Sequence, residues 1–125
     1  MTPAKHILNL IKNVAADDTD MLDEIDILVS EHAGNPDTET ERRQGYTWKS
    51  YTISLDAAIS ILPPELVWSF ENHAAGYDMY GYMDLTGPKW GRWHNDRMIA
   101  KTLPLGITAI GVQAIEFNRE KEIEG

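Results

Sequence analysis

The sequence contains no cysteine among its 125 residues, which excludes disulfide bonds, thiolate metal ligands and a cysteine nucleophile. It also has no apolar run near the ~18 residues that a membrane-spanning helix requires. Its first residues lack the basic start and long apolar segment of a signal peptide, and no repeat or low-complexity tract is present. We therefore expect one modest domain that acts in the cytoplasm and does not contact a membrane.

Positive charge is scarce and unevenly placed. The chain has 11 Lys and Arg against 20 Asp and Glu, a formal net charge of −9. Residues 2–40 carry nine acids against two bases, a balance of −7, which leaves −2 for residues 41–125. An acidic protein repels phosphate, so we expect no binding to a nucleic-acid duplex. The exception is residues 88–101, where four bases accompany one acid and the local balance is +3.

Residues 1–33 predict an N-terminal helical hairpin. Apolar residues at helical spacing follow Thr2, a good N-cap, and a second helix is predicted over about 20–33. The Asp-Asp-Thr sequence at 17–19 separates the two helices and offers caps for the second. Residues 34–45 hold no large apolar side chain, which predicts a flexible linker.

Residues 46–118 predict an α+β unit with a small antiparallel sheet of three or four strands. Ser54 is placed to cap a short helix that the prolines at 63–64 end. Two strand-like runs, 66–71 and 77–85, flank a short break that contains glycine, which predicts a hairpin. In the second run Tyr77, Met79, Gly81 and Met83 share one face, and Asp78, Tyr80, Tyr82 and Asp84 share the other.

A third strand is expected within residues 90–100, and a last helix begins at Thr102. The apolar stripe of that helix is Leu103, Ile107, Ile110, Ala114 and Phe117. Its Gly106 and Gly111 are costly inside a helix, which indicates close packing, most simply against the sheet. Residues 119–125 read as a charged tail that frays.

Two short motifs frame this unit: Tyr-Thr-Ile-Ser-Leu-Asp-Ala-Ala at 51–58 and Ala-Lys-Thr-Leu-Pro-Leu at 100–105. With Pro63 and Trp68 between them, they resemble the phage ABA-sandwich domain over about residues 46–118. The resemblance implies a sheet layered between helices and an origin in a bacteriophage or prophage. Most members of that family have no assigned activity, so the resemblance implies no reaction. This chain departs from the family at its two helix glycines and in a longer, more aromatic segment before the second motif.

The segment 88–97 is the one best equipped to recognise a ligand, because it alternates aromatic and basic side chains. Arginine offers a planar fork of donors for phosphate or carboxylate, and tryptophan offers a stacking surface. The candidate ligand-binding residues are Lys89, Trp90, Arg92, Trp93, His94 and Arg97, with Tyr80 and Tyr82 as one wall of the pocket. The same pattern is also typical of a strand whose tryptophans fill the core, and of a protein contact surface. All three interpretations remain open.

We expect no catalytic site, no metal and no cofactor. The four histidines show no paired spacing of the kind that metal sites use. His94 and Asp96 resemble a base with its carboxylate, an arrangement that also arises by chance on alternate strand positions. The sequence has no nucleophile elbow and no glycine-rich phosphate loop.

The sequence thus predicts a non-enzymatic phage or prophage accessory protein of the host cytoplasm. Such a protein would counter host defence or redirect a host component by binding a small anionic, nucleotide-like signal or a host protein. The acidic hairpin, with Asp23 and Glu24, offers a second contact surface that would imitate DNA. The alternatives are a phage structural or assembly component and a small nucleotide-processing enzyme. Exposed aromatic residues on a small sheet indicate a homo-oligomer.

Overall fold

The computed structural model describes residues 3–33, 50–85 and 91–124, which form four helices and four strands. The helices are α1 (Pro3–Asn13), α2 (Thr19–His32), α3 (Leu55–Ser60) and α4 (Leu103–Glu124). The strands are β1 (Val67–His73), β2 (Gly76–Leu85), β3 (Gly91–His94) and β4 (Ile99–Ala100). Three sequence predictions lie outside the described residues: the Thr2 cap, the linker 34–45, and the placement of Lys89 and Trp90. A search of the described helices finds none with the length and apolar character to cross a membrane.

The predicted α+β class, with a small antiparallel sheet and an N-terminal helix pair, is confirmed. Strand β2 is central: β1 runs antiparallel along one edge, and β3 and β4 run antiparallel along the other. A two-residue turn joins β1 to β2, with His73 paired to Gly76. Tyr82 pairs with His94 in β3, and Asp78 pairs with Ile99 in β4.

Short polar side chains begin three of the helices, as the sequence predicts. Asp18 accepts a hydrogen bond from the Met21 backbone N–H at 3.2 Å, and Ser54 accepts one from Ala57 at 3.3 Å. Thr102 caps α4 by accepting from the Leu105 N–H at 3.3 Å. Each cap satisfies a backbone donor that the first turn of a helix leaves without an intrahelical partner.

Helix α4 is the centre of the molecule, and all its residues from 105 to 114 are buried. Its predicted apolar stripe packs on the sheet, against Met79 and Met83. The opposite side of α4, which the sequence did not single out, packs through Leu105, Ala109 and Val112 against α1 and α2. The layers are therefore the sheet, then α4, then the helical hairpin.

The two helix glycines mark the closest approaches to α4. A Cβ at Gly106 would lie 2.6 Å from the Met79 sulfur of β2, so this glycine faces the sheet as predicted. A Cβ at Gly111 would lie 2.7 Å from Ile61 Cδ1, so this glycine faces the end of α3 and not the sheet. A Cβ at either position would require the Met79 or Ile61 side chain to shift, which favours glycine at both.

The charged end of α4 is helical through Glu124 where the sequence predicts fraying. Arg119 supports this extension, since its guanidinium donates to the backbone carbonyl of His32 at the end of α2. The His32 ring is itself buried and lies 3.1 Å from the Val112 carbonyl of α4. These contacts fasten α4 to the end of α2.

A buried carboxylate joins the hairpin to the first motif. Asp26 of α2 is fully buried and accepts hydrogen bonds from the backbone N–H of Thr52 at 2.9 Å and from its hydroxyl at 3.1 Å. Thr108 of α4 donates to the Tyr51 carbonyl at 2.9 Å. Burial raises the pKa of Asp26 to about 6, and the charge of Asp23 acts in the same direction, while the Thr52 hydrogen bonds oppose both. Tyr51 and Thr52 therefore serve to hold helices together.

Candidate functional site

The sheet has one covered face and one exposed face. Residues Tyr77, Met79, Gly81 and Met83 of β2 face α4, and the alternate residues face away from it. We call the second surface the open face. It comprises Val67, Ser69, Glu71, His73, Asp78, Tyr80, Tyr82, Asp84, Arg92, His94, Arg97 and Ile99. Most of these side chains are exposed to solvent, so this face is available to a partner.

A first arginine–tyrosine–carboxylate unit lies at the centre of the open face. Arg97 Nη2 donates to Asp78 Oδ2 at 2.5 Å and to the Tyr80 hydroxyl at 3.0 Å. The Tyr80 hydroxyl in turn donates to Asp78 Oδ2 at 3.1 Å. The hydrogen bond from Arg97 lowers the pKa of Asp78, whereas burial and the neighbouring carboxylate raise the pKa of Tyr80. The three side chains therefore keep an ionised carboxylate and a neutral phenol next to one guanidinium.

A second unit of the same composition lies toward β3. Arg92 Nε donates to Asp84 Oδ1 at 2.8 Å, and the guanidinium carbon lies 4.1 Å from the centre of the Tyr82 ring. That distance is typical of a cation–π contact. The His94 ring of β3 lies beside the Tyr82 ring of β2, with 6.4 Å between ring centres. The Arg92 guanidinium is thus held by a carboxylate and by a tyrosine ring.

Asn95 places Arg97 within reach of Asp78. Strand β3 ends at His94, and the Asn95 side chain takes over pairing with β2 by accepting from the Gly81 N–H at 2.9 Å and donating to the Met79 carbonyl at 3.1 Å. The next residue is anchored to α4, because the Asp96 N–H donates to the Gln113 side chain at 2.6 Å. This break in strand alternation was not predicted, and a lone Asn-Asp pair after a strand is too common a signal to reveal it.

The six described residues of the predicted ligand site do not form one pocket. Arg92, His94, Arg97, Tyr80 and Tyr82 all lie on the open face. Trp93 points to the covered face, where its ring stacks on Phe117 of α4 with 5.5 Å between ring centres. This tryptophan is a core residue, since neighbours in a strand face opposite sides. Lys89 and Trp90 lie outside the described residues.

The open face carries both signs of charge. Each of its two arginines has a carboxylate partner, and His73 Nε2 lies 3.2 Å from Glu71 Oε2. Within residues 3–33, 50–85 and 91–124, no cluster of His, Asp and Glu has the composition to hold a metal ion. The arrangement can bind groups that match a mixed pattern of charge, hydroxyl and ring surfaces.

A separate hollow of ≈ 210 Å³ lies at the start of α4. Its lining is mainly apolar: Ala16, Leu22, Thr52, Ile53, Thr102, Pro104 and Leu105. The two threonine hydroxyls are already engaged, one with Asp26 and one as the cap of α4. The hollow therefore offers no convergent polar groups for a specific ligand. Comparison of the chain with protein families, curated proteins and solved structures finds no match.

Proposed function

We propose that this chain is a non-enzymatic binding protein of the phage or prophage accessory kind that its two motifs resemble. It binds a host protein through the open face of its sheet. The observation that carries the proposal is the pair of arginine–tyrosine–carboxylate units on one exposed, continuous surface. Arginine and tyrosine are the residue types that, with tryptophan, contribute most to the energy of protein interfaces.

Preorganisation of these side chains favours a protein contact. Arg97 is held by two hydrogen bonds and Arg92 by one hydrogen bond and a ring contact, although both remain largely exposed. Ordering a free, rotamer-rich side chain costs about 0.5–1.5 kcal/mol on binding. Side chains that are already ordered avoid much of that cost, so the surface is suited to a rigid partner.

The charge balance of the open face argues against a nucleotide-like signal as the ligand. A phosphate group on Arg97 or Arg92 would lie beside Asp78 or Asp84, and the neighbouring carboxylate would repel it. The chain as a whole carries a net charge of −9, which also opposes an anion. A protein surface that offers hydroxyl, amide and ring groups can instead bind beside these pairs without adding a negative charge.

The acidic hairpin is a weaker candidate for the contact. Of its acids, Asp26 is buried and bonded to Thr52, and Asp18 is engaged as the cap of α2. Asp23 is half-buried, which leaves an irregular set of exposed carboxylates. A surface that imitates DNA needs regularly spaced exposed charges, so the open face is the stronger proposal.

The proposal is tested by capture of bacterial proteins on the full chain, followed by calorimetry with the purified captured protein. Single Arg92→Ala and Tyr82→Ala variants should each weaken binding by about 2 kcal/mol, or about 30-fold in Kd, as interface hot spots do. Lys12→Ala is the matched control, because it removes a positive charge from the exposed side of α1, away from the sheet. Circular dichroism of each variant establishes that the fold is retained.

Two results would overturn the proposal. One is a captured protein whose affinity is the same for both open-face variants as for Lys12→Ala. The other is a thermal shift with a panel of linear and cyclic nucleotides that disappears in Arg92→Ala, which would favour the nucleotide alternative. Turnover of any nucleotide during that incubation would favour an enzyme.

A further inference from the structure

We propose that the outer edge of β1 pairs antiparallel with β1 of a second copy of this chain, so that one sheet runs continuously through a two-fold dimer. The pairing surface is the edge of the sheet and not its open face. The dimer and the host-protein contact are therefore separate proposals whose experiments can fail independently.

Strand β1 is an exposed edge. It pairs with β2 on one side, and no other described strand pairs with it. Six of its seven residues are exposed, and Trp68 is half-buried. An edge strand presents a row of backbone N–H and C=O groups that is a template for pairing with another chain.

The hydrogen bonds of β2 show which groups of β1 point outward. The N–H and C=O of Gly81 and the C=O of Met79 bond to Asn95, so they point away from β1. Their partners in the register, Trp68 and Phe70, are therefore in non-hydrogen-bonded pairs with β2. By the same alternation, the backbone groups of Trp68, Phe70 and Asn72 all point to the outer edge.

Strand β1 lacks several of the usual protections of an edge strand. It contains no lysine and no proline, its register with β2 is unbroken by a bulge from Val67 to His73, and Glu71 is its one acidic side chain. Phe70 is 42% exposed, and its ring meets Tyr77 edge-on with 5.8 Å between ring centres. A seven-residue, partly apolar edge of this kind favours association.

The side chains of β1 favour one self-pairing register. With the two-fold axis at Phe70, Phe70 lies opposite the partner's Phe70, and Trp68 lies opposite the partner's Asn72. The three residues whose backbone groups point to the outer edge then all pair with the partner strand, which gives about six hydrogen bonds across the interface. Ser69 lies opposite the partner's Glu71, so a hydroxyl donor meets a carboxylate.

The neighbouring registers are less favourable. A shift of the axis by one residue toward the turn places Glu71 directly opposite the partner's Glu71, and like charges at that separation are destabilising. A shift of the axis by one residue toward the start of β1 leaves Asn72 opposite a residue that precedes Val67, where the partner's strand begins. A second copy is thus complementary to the edge in hydrogen bonding and in charge when the axis lies at Phe70.

The experiment is sedimentation equilibrium of the full chain over a range of concentrations. Phe70→Lys places two ammonium groups opposite each other at the axis and should raise the dimer dissociation constant by at least about tenfold. Ile99→Lys is the matched control: Ile99 is 46% exposed but lies at the opposite edge of the sheet, so the dimer should persist. A wild-type chain that is monomeric at its highest soluble concentration overturns the proposal, as does a dimer that tolerates both substitutions equally.

A cross-linking measurement decides the matter if Phe70→Lys does not fold. The chain has no cysteine, so Phe70→Cys introduces one unique thiol. Cα atoms of a hydrogen-bonded antiparallel pair are about 5.5 Å apart, within the range that a disulfide spans. Oxidation should give a covalent dimer of Phe70→Cys much faster than of Ile99→Cys, and equal rates would refute the register.

Discussion

Replacement of Asp26 by asparagine isolates the cost of one buried carboxylate. The carboxyl group is fully buried, and burial raises its pKa from the usual 3.8 to about 6. Asparagine has the same shape, can accept from the Thr52 N–H with its oxygen and can donate to the Thr52 hydroxyl with its nitrogen. The substitution therefore removes the charge and keeps both contacts.

The pH dependence follows from proton linkage. Between pH 3.8 and about 6, the folded chain holds a proton on Asp26 that the unfolded chain has released. Stability is therefore greatest below that window, falls as the pH rises through it, and stays lower above it. A pKa raised by this amount corresponds to about 3 kcal/mol.

The assay is urea unfolding of wild type and Asp26→Asn at a series of pH values, followed by tryptophan fluorescence. The difference in unfolding free energy should move in favour of the variant by about 2.4 kcal/mol between pH 4 and 7. Other carboxylates titrate in the same range, but they are common to both chains and cancel in the difference. A difference that stays flat across the window would refute the reasoning.

Asp20→Asn is the matched control for this experiment. It makes the same chemical change at an exposed position of α2. When both chains also carry Asp20→Asn, the pH-dependent change in unfolding free energy that we attribute to Asp26 must still be present. Loss of that change would show that it arises from the charge of the helix as a whole.

Two packing predictions follow from the described contacts. Gly111→Ala should lower the free energy of unfolding by about 1–2 kcal/mol, because the new Cβ would lie 2.7 Å from Ile61 Cδ1 and overpacking outweighs the helix gain of about 1 kcal/mol. Thermal melting measures this loss of stability, and a raised Tm would contradict the predicted clash with Ile61. Asn95→Ala should cost about 2 kcal/mol, since the Gly81 N–H and a β2 carbonyl lose their partner. Asn72→Ala, at an exposed strand position, is its control in urea unfolding, and equal losses would contradict the role of Asn95.

The elements that depend on neighbouring residues were predictable. Ser54 and Thr102 begin their helices because a cap acts on backbone groups two or three residues away. The faces of β2 follow from strict alternation, and its hairpin with β1 follows from a short turn that ends at Gly76. Strand alternation alone therefore predicts that Tyr80 and Tyr82 lie on one surface.

The candidate site was only half predictable. Arg92 and Trp93 were expected to share a pocket, but adjacent residues of β3 point to opposite faces, and Trp93 belongs to the core. Arg97 reaches the open face because Asn95 interrupts the strand, and that interruption depends on hydrogen bonds to Gly81 and Met79. No local pattern encodes a partner that lies 14 or 16 residues away.

The sequence by itself determined the α+β composition, the helix starts, the alternation of β2 and the acidic charge of residues 2–40. These properties depend on backbone sterics, caps and periodicity within a few residues. Tertiary structure alone decided that α4 is buried on two sides, that Asp26 holds Thr52, and that each arginine of the open face has a carboxylate partner. These are contacts between segments distant along the chain. They form when the layers close, because apolar side chains leave water and the buried Asp26 must find a hydrogen-bond partner.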